Sequence, residues 1–194
     1  MNELIIVIGV DKEKLFLHDF TTEKKTILGD SIDHRVIKHL EHYNKQYIIH
    51  AETKSVNVFN YPSCETYNTF NIGSAIRTVD TIEKNGIFYM LVIEYCGEFS
   101  KWDFYKKERI LAIKIQNFSP TFCIWDSQYI LICNQDSRNN NYILQLNFET
   151  LEKVELENLK GQNRFHCLKR FNMQNNGYCL LALHRNQNVL RMYK

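Results

Sequence analysis

Short runs of alternating apolar and polar residues, cut every few positions by Gly, Asn, Asp or Lys-rich pieces, fill this chain. A period of two over four to eight residues predicts strands. Three are expected in a first unit, at 4–8, 15–20 and 25–28, with Asp11 to Lys14 as a turn. Four are expected in a second unit, at 36–40, 47–50, 55–59 and 66–70. The third unit places its strands at 75–79, 88–93, 98–104 and 109–113, and Asn85-Gly86 between the first two is a hairpin signal. The fourth unit uses 120–124, 129–133, 142–148 and 153–156, with the polar stretch 136–141 as an exposed loop. The fifth ends the chain with 165–171, 178–183 and 189–193. Residues 32–43 also fit one helical face through Val36, Ile37 and Leu40, but the other units have no helix at that place, so a strand is favoured.

One dipeptide recurs in position if not in identity. His18-Asp19, Phe59-Asn60, Trp102-Asp103, Leu146-Asn147 and Tyr193-Lys194 each close a strand, and they follow one another at steps of 41, 43, 44 and 47 residues. That is the length of a propeller blade repeat. The units are then about 1–30, 31–72, 73–115, 116–158 and 159–194 of a single repeat domain.

The repeating residues resemble the WD-repeat family of β-propellers. Trp102-Asp103 stands where the family closes its third strand with Trp-Asp. Gly161-Gln162 stands in the place of its Gly-His, with Gly177-Tyr178 and Asn188 to Tyr193 following in the family's order. Asp11 and Asp136 take its turn position. Trp125-Asp126 falls outside the pattern, where a first strand turns toward a second. The resemblance implies an all-β fold of four-stranded antiparallel blades, four to five in number, forming an incomplete or partner-completed propeller.

Composition narrows the chemistry. The chain has 194 residues, 12 Phe and 11 Tyr against 2 Pro and 7 Gly, which suits pleated surfaces. A formal charge of +2 lacks the basic surplus that phosphate contacts require, so direct nucleic-acid binding is not expected. No apolar run reaches the ~20 residues of a membrane-spanning helix. Six Cys without a C-x-x-C pair read as free thiols in a reducing, intracellular setting.

Candidate catalysts are sparse. His34, His39 and His42 could supply metal donors, yet zinc needs three or four converging ligands and no Cys pair or H-E-x-x-H context accompanies them. Cys167 and His166 are adjacent in a strand and point to opposite faces. His50 and Glu52 share a face without a third partner. Trp102 with Asp103 and Glu98 offers no second protected carboxylate for acid and base work. No Gly-rich phosphate loop is present, and no cofactor is expected.

The expected function is a non-catalytic protein-interaction scaffold, a structural subunit of a larger assembly. Partners would be protein subunits meeting exposed sheet edges, with homo-association as a further route. Loop residues Asp11, Lys14, Glu52, Lys54, Glu94, Glu98, Asp136, Arg138 and Asn140 are the candidate contacts. His18, Phe59, Trp102, Leu146 and Tyr193 are the structural repeat positions. The alternatives are a regulatory or targeting module of an enzyme such as a kinase, and a metal-dependent hydrolase built on the three histidines.

Overall fold

The computed structural model describes residues 6–11, 14–19, 23–30, 36–115, 122–135, 141–161, 165–172, 178–184 and 190–193. Among them are eighteen strands and no helix. They group in chain order into five antiparallel meanders. The first holds β1 (Ile6–Asp11), β2 (Lys14–Asp19) and β3 (Lys24–Asp30). The second holds β4 (Val36–His42), β5 (Lys45–Ala51), β6 (Ser55–Tyr61) and β7 (Thr66–Asn71). In the third are β8 (Ile76–Lys84), β9 (Ile87–Glu94), β10 (Glu98–Asp103) and β11 (Glu108–Lys114). The fourth has β12 (Phe122–Ile124), β13 (Tyr129–Gln135), β14 (Asn141–Asn147) and β15 (Lys153–Gly161). The last has β16 (Phe165–Asn172), β17 (Tyr178–His184) and β18 (Leu190–Tyr193). Two compact units, Met1–Ile76 and Arg77–Lys194, contain them.

Turn chemistry explains the regular spacing. After each third-position strand, a non-glycine residue takes a positive φ: Glu23 (53°), Cys64 (61°), Lys107 (63°) and Leu151 (55°), at steps of 41, 43 and 44 residues. Four residues before each stands Asp19, Asn60, Asp103 or Asn147, the second member of the recurring dipeptide. Asp103 Oδ1 accepts the N–H groups of Tyr105 and Lys106 at 3.0 and 2.9 Å. Asn147 Oδ1 accepts those of Glu149 and Thr150 at 2.9 and 3.1 Å. The backbone carbonyls of Asn60, Asp103 and Asn147 accept the N–H of Cys64, Lys107 and Leu151. A short Asp or Asn side chain satisfies the donors that a tight turn exposes, which is why the second position is Asx in the first four dipeptides.

The remaining turns close in two ways. Asn85 and Gly86 both have positive φ, the geometry of a type I′ hairpin, and Tyr43-Asn44 takes the same course between β4 and β5 without a glycine. At the β9–β10 turn, Gly97 (φ +81°) donates to Glu94 O at 2.9 Å and its own carbonyl accepts Ile115 N–H at 2.8 Å. Lys54 O accepts Ile72 N–H in the same way at 2.9 Å, so the residues after β7 and β11 are tied back to a turn.

The core of the second unit lies between two sheets. Tyr89, Leu91, Ile93 and Phe99 from the third meander pack with Ile130, Ile132, Leu144, Leu146 and Phe148 from the fourth. Each such apolar side chain contributes about 1.5–3 kcal/mol on burial. In the first unit Leu17 packs with Ile48 and Phe59, flanked by Leu28, Ile37 and Tyr61.

The expectation of a WD-repeat propeller is corrected by this topology. Among the described residues no sheet closes on itself, no strand of one sheet pairs with a strand of another, and two of the five sheets have three strands. The residues that suggested the family are used locally: Trp102 Nε1 donates to Ser100 Oγ at 2.9 Å and Asp103 caps its own turn. Trp102 is paired with Met90, so it lies on the face opposite the one that Tyr89, Leu91 and Ile93 turn toward the fourth meander. A period near 43 residues measures one four-stranded meander with its turns; closure into a ring is a separate property that the spacing does not encode. The all-β, antiparallel part of the expectation stands. So does the strand reading of residues 36–42, and Asp126 caps the β12–β13 turn by accepting Gln128 and Tyr129 N–H at 2.7 Å each.

Candidate functional site

A group of ionisable side chains forms where the third and fourth meanders pack. Lys101 sits mid-strand in β10 on the face shared with Phe99, and only 3% of it is exposed. Its ammonium donates to Phe148 O at 2.9 Å, lies 4.5 Å from the Phe148 ring centroid and 5.3 Å from that of Tyr89. Glu149 stands 3.9 Å from Lys101 Nζ and 2.8 Å from Lys84 Nζ. Burial pulls the Lys101 pKa down, against the pull of Glu149 and with the push of Lys84. The hydrogen bond from Lys84 lowers Glu149 despite some desolvation. Burial raises Tyr89, helped by the negative charges of Glu149 and Asp103.

A buried amine with a depressed pKa is the starting point for nucleophilic chemistry. Here the amine is directed at a backbone carbonyl and roofed by two rings, which is the geometry of a cation–π and hydrogen-bonded tie between sheets. Sequence reasoning passed over Lys101; the available signal was a lysine between Phe99 and Trp102 on an inner strand.

The loop residues take several different positions. Asp11 and Lys14 face each other as the last pair of β1 and β2. Glu52 and Lys54 lie at the β5–β6 turn, where Glu52 accepts Ser55 Oγ at 3.4 Å and stands 3.6 Å from His50 Nδ1. Ser55 Oγ donates to the Glu52 carboxylate. Glu94, at the end of β9, is buried, and Cys96 Sγ donates to it at 3.6 Å. Glu98 opens β10 and is paired with Arg109 at 2.9 Å. Asp136, Arg138 and Asn140 lie outside the described residues.

Of the repeat positions, Phe59, Trp102 and Leu146 are buried, His18 is half-buried in β2, and Tyr193 is placed by its backbone in β18, paired with Leu180. His39 is exposed and His42 buried; they are three apart in β4 and point to opposite faces. His34 lies outside the described residues. Among the described residues no group of three or more His, Cys, Asp or Glu is placed to hold a metal ion. Cys123 and Cys133 are buried free thiols and Cys96 is exposed; burial raises the Cys64 pKa, with Lys24 opposing.

The outer strands present a different kind of surface. β3, β11 and β15 each end their sheet, and each exposes a large apolar residue: Ile27, Ile110 (47%) and Val154 (59%). Charged residues flank them, with Glu108 and Arg109 beside Ile110 and Lys153 and Glu155 beside Val154, all exposed. Backbone groups on the free side of an end strand are available to another chain, and flanking charge limits which chain can use them.

No family model matches this chain, and no curated protein matches it. The likeness to WD-repeat proteins therefore does not amount to membership.

Proposed function

We propose that this chain is a non-catalytic protein-interaction scaffold that meets other protein subunits through its outer sheet edges. The observation that carries the reading is the recurrence of an exposed large apolar residue on three sheet-ending strands, at Ile27, Ile110 and Val154. Isolated exposed apolar residues are ordinary on a protein surface; their repetition on strand edges, where backbone pairing is also open, is the feature that supports binding. Lys101 and Glu149, whose pKa values are both lowered, are engaged in holding two sheets together, which also favours a structural role.

The test uses the full chain recovered from its native extract. Ile110→Asp and Val154→Asp change exposed side chains and are expected to leave the fold intact while releasing a stoichiometric protein companion. Recovery of the wild-type chain with no such companion would count against the scaffold reading. So would a complex indifferent to both substitutions.

A further inference from the structure

Of the asparagines that the structure describes, only Asn85 is followed by glycine. Asn57 and Asn147 commit their side-chain oxygens, to the Thr69 hydroxyl and to the N–H groups of Glu149 and Thr150. The Asn68 side chain is buried. Asn85 is exposed together with Gly86 and Ile87 at the tip of the β8–β9 hairpin. Among the described residues no hydrogen bond reaches its carboxamide or the Gly86 N–H. A side chain at position 86 would crowd the path from that backbone nitrogen to the Asn85 carboxamide carbon. Gly86 brings none, and even an added Cβ would meet nothing within 4 Å.

Lys84 stands directly before this pair and ties the third meander to the fourth. Its ammonium lies 2.8 Å from Glu149 and 4.9 Å from the Phe148 ring centroid. Asn85 (φ 52°) and Gly86 (φ 72°) form the two-residue turn that joins Lys84, the end of β8, to Ile87, the start of β9. The position of Lys84 therefore depends on the length and conformation of that turn.

We propose that Asn85-Gly86 is a site of spontaneous deamidation in the folded chain, and that the isoaspartyl product draws Lys84 away from Glu149. The Gly86 nitrogen gives its proton to hydroxide and bonds to Asn85 Cγ. The Cγ–Nδ2 bond breaks, and the leaving nitrogen takes a proton from water and departs as ammonia. Water then opens the five-membered imide: attack at Cγ gives Asp, and attack at the backbone carbonyl leaves the chain running through the side chain of residue 85. No electrons are transferred, and water is the only reactant consumed. Either product sets a carboxylate next to Lys84, beside the exposed Glu83, where it competes with Glu149 for the ammonium. The isoaspartyl form also adds a methylene to the main chain within a two-residue turn, which shifts residue 84 against residue 87. This covalent change is independent of the reading of the outer edges as binding surfaces.

The full chain, held folded in mildly alkaline buffer made with heavy-oxygen water and then digested in ordinary water, tests this by peptide mass mapping. A parallel sample in guanidinium chloride measures the reactivity of the unfolded chain. In the folded wild type, residue 85 should gain heavy oxygen and the mass change of carboxamide to carboxylate, with isoaspartyl linkage in the fragments, while Asn57 and Asn147 stay unchanged. Its melting temperature should fall as conversion proceeds. Asn85→Gly accepts the positive φ and has no carboxamide, so it should keep its melting temperature through the same incubation. Glu149→Gln has already lost the ion pair, so conversion should lower its melting temperature less than that of the wild type. An Asn85 left intact in the folded chain after the unfolded sample has reacted overturns the proposal. So does a converted wild type that melts with the unconverted one, and a loss as large in Glu149→Gln overturns the release of Lys84.

Discussion

Replacing Gly97 by Ala tests how tightly the β9–β10 turn is stitched to the end of β11. Gly97 has φ +81°, and a Cβ added there would lie 2.7 Å from the backbone carbonyl oxygen of Ile115. That same Ile115 donates its N–H to Gly97 O at 2.8 Å, so the two backbones cannot separate without losing a hydrogen bond. A left-handed backbone costs an L-residue roughly 1–2 kcal/mol. Forcing atoms into a packed place adds about 1–3 kcal/mol, since the obstacle is backbone and not the end of a flexible side chain. The expected loss is therefore about 2–5 kcal/mol. Gly86 is the control: its φ is +72°, but an added Cβ meets nothing within 4 Å. Gly86→Ala should cost only the backbone part, about 1–2 kcal/mol. Urea denaturation of the full chain, followed by circular dichroism, measures both. If Gly97→Ala is no more destabilising than Gly86→Ala, the close approach of Ile115 is not a constraint on stability.

Trp102→Ala removes a ring that is 8% exposed and a hydrogen bond to Ser100, and should cost about 3–5 kcal/mol by urea denaturation; a change near zero would refute its packing role. Lys101 has a folded pKa below its ordinary 10.5, so holding it charged costs stability below the folded value, and that cost fades as pH rises toward 10.5. Lys101→Met should therefore compare best with the wild type near pH 7 and lose ground as pH approaches 10.5, read from melting temperatures across that range. Glu149 shifts the other way: its folded pKa lies below 4.5, so its contribution is present above 4.5 and lost as pH falls through the folded value. Glu149→Gln should accordingly flatten the acid limb of the stability profile.

Much of the secondary structure was legible because strands write themselves in a period of two. The short apolar runs Tyr47 to Ile49 and Phe88 to Ile93, and the Asn85-Gly86 pair, depend only on a residue and its near neighbours. The recurring dipeptide was legible for the same reason, although its meaning was not. The sequence showed that Asp103 and Asn147 recur in phase; only the structure shows them capping turns whose fourth following residue has a positive φ. A family badge and a turn cap can be spelled with the same two letters.

What the sequence by itself determined, then, is a succession of antiparallel strands in meanders about 43 residues long. Local hydrogen bonding and the pleat decide these, and both act over a few residues. The tertiary structure decided what no local rule contains: that the sheets remain separate, that Trp102 and Tyr89 take opposite faces, and that Lys101 reaches Phe148, 47 residues away. It also decided where each pair of strands slips register, because a slip belongs to a pair of strands and not to either one.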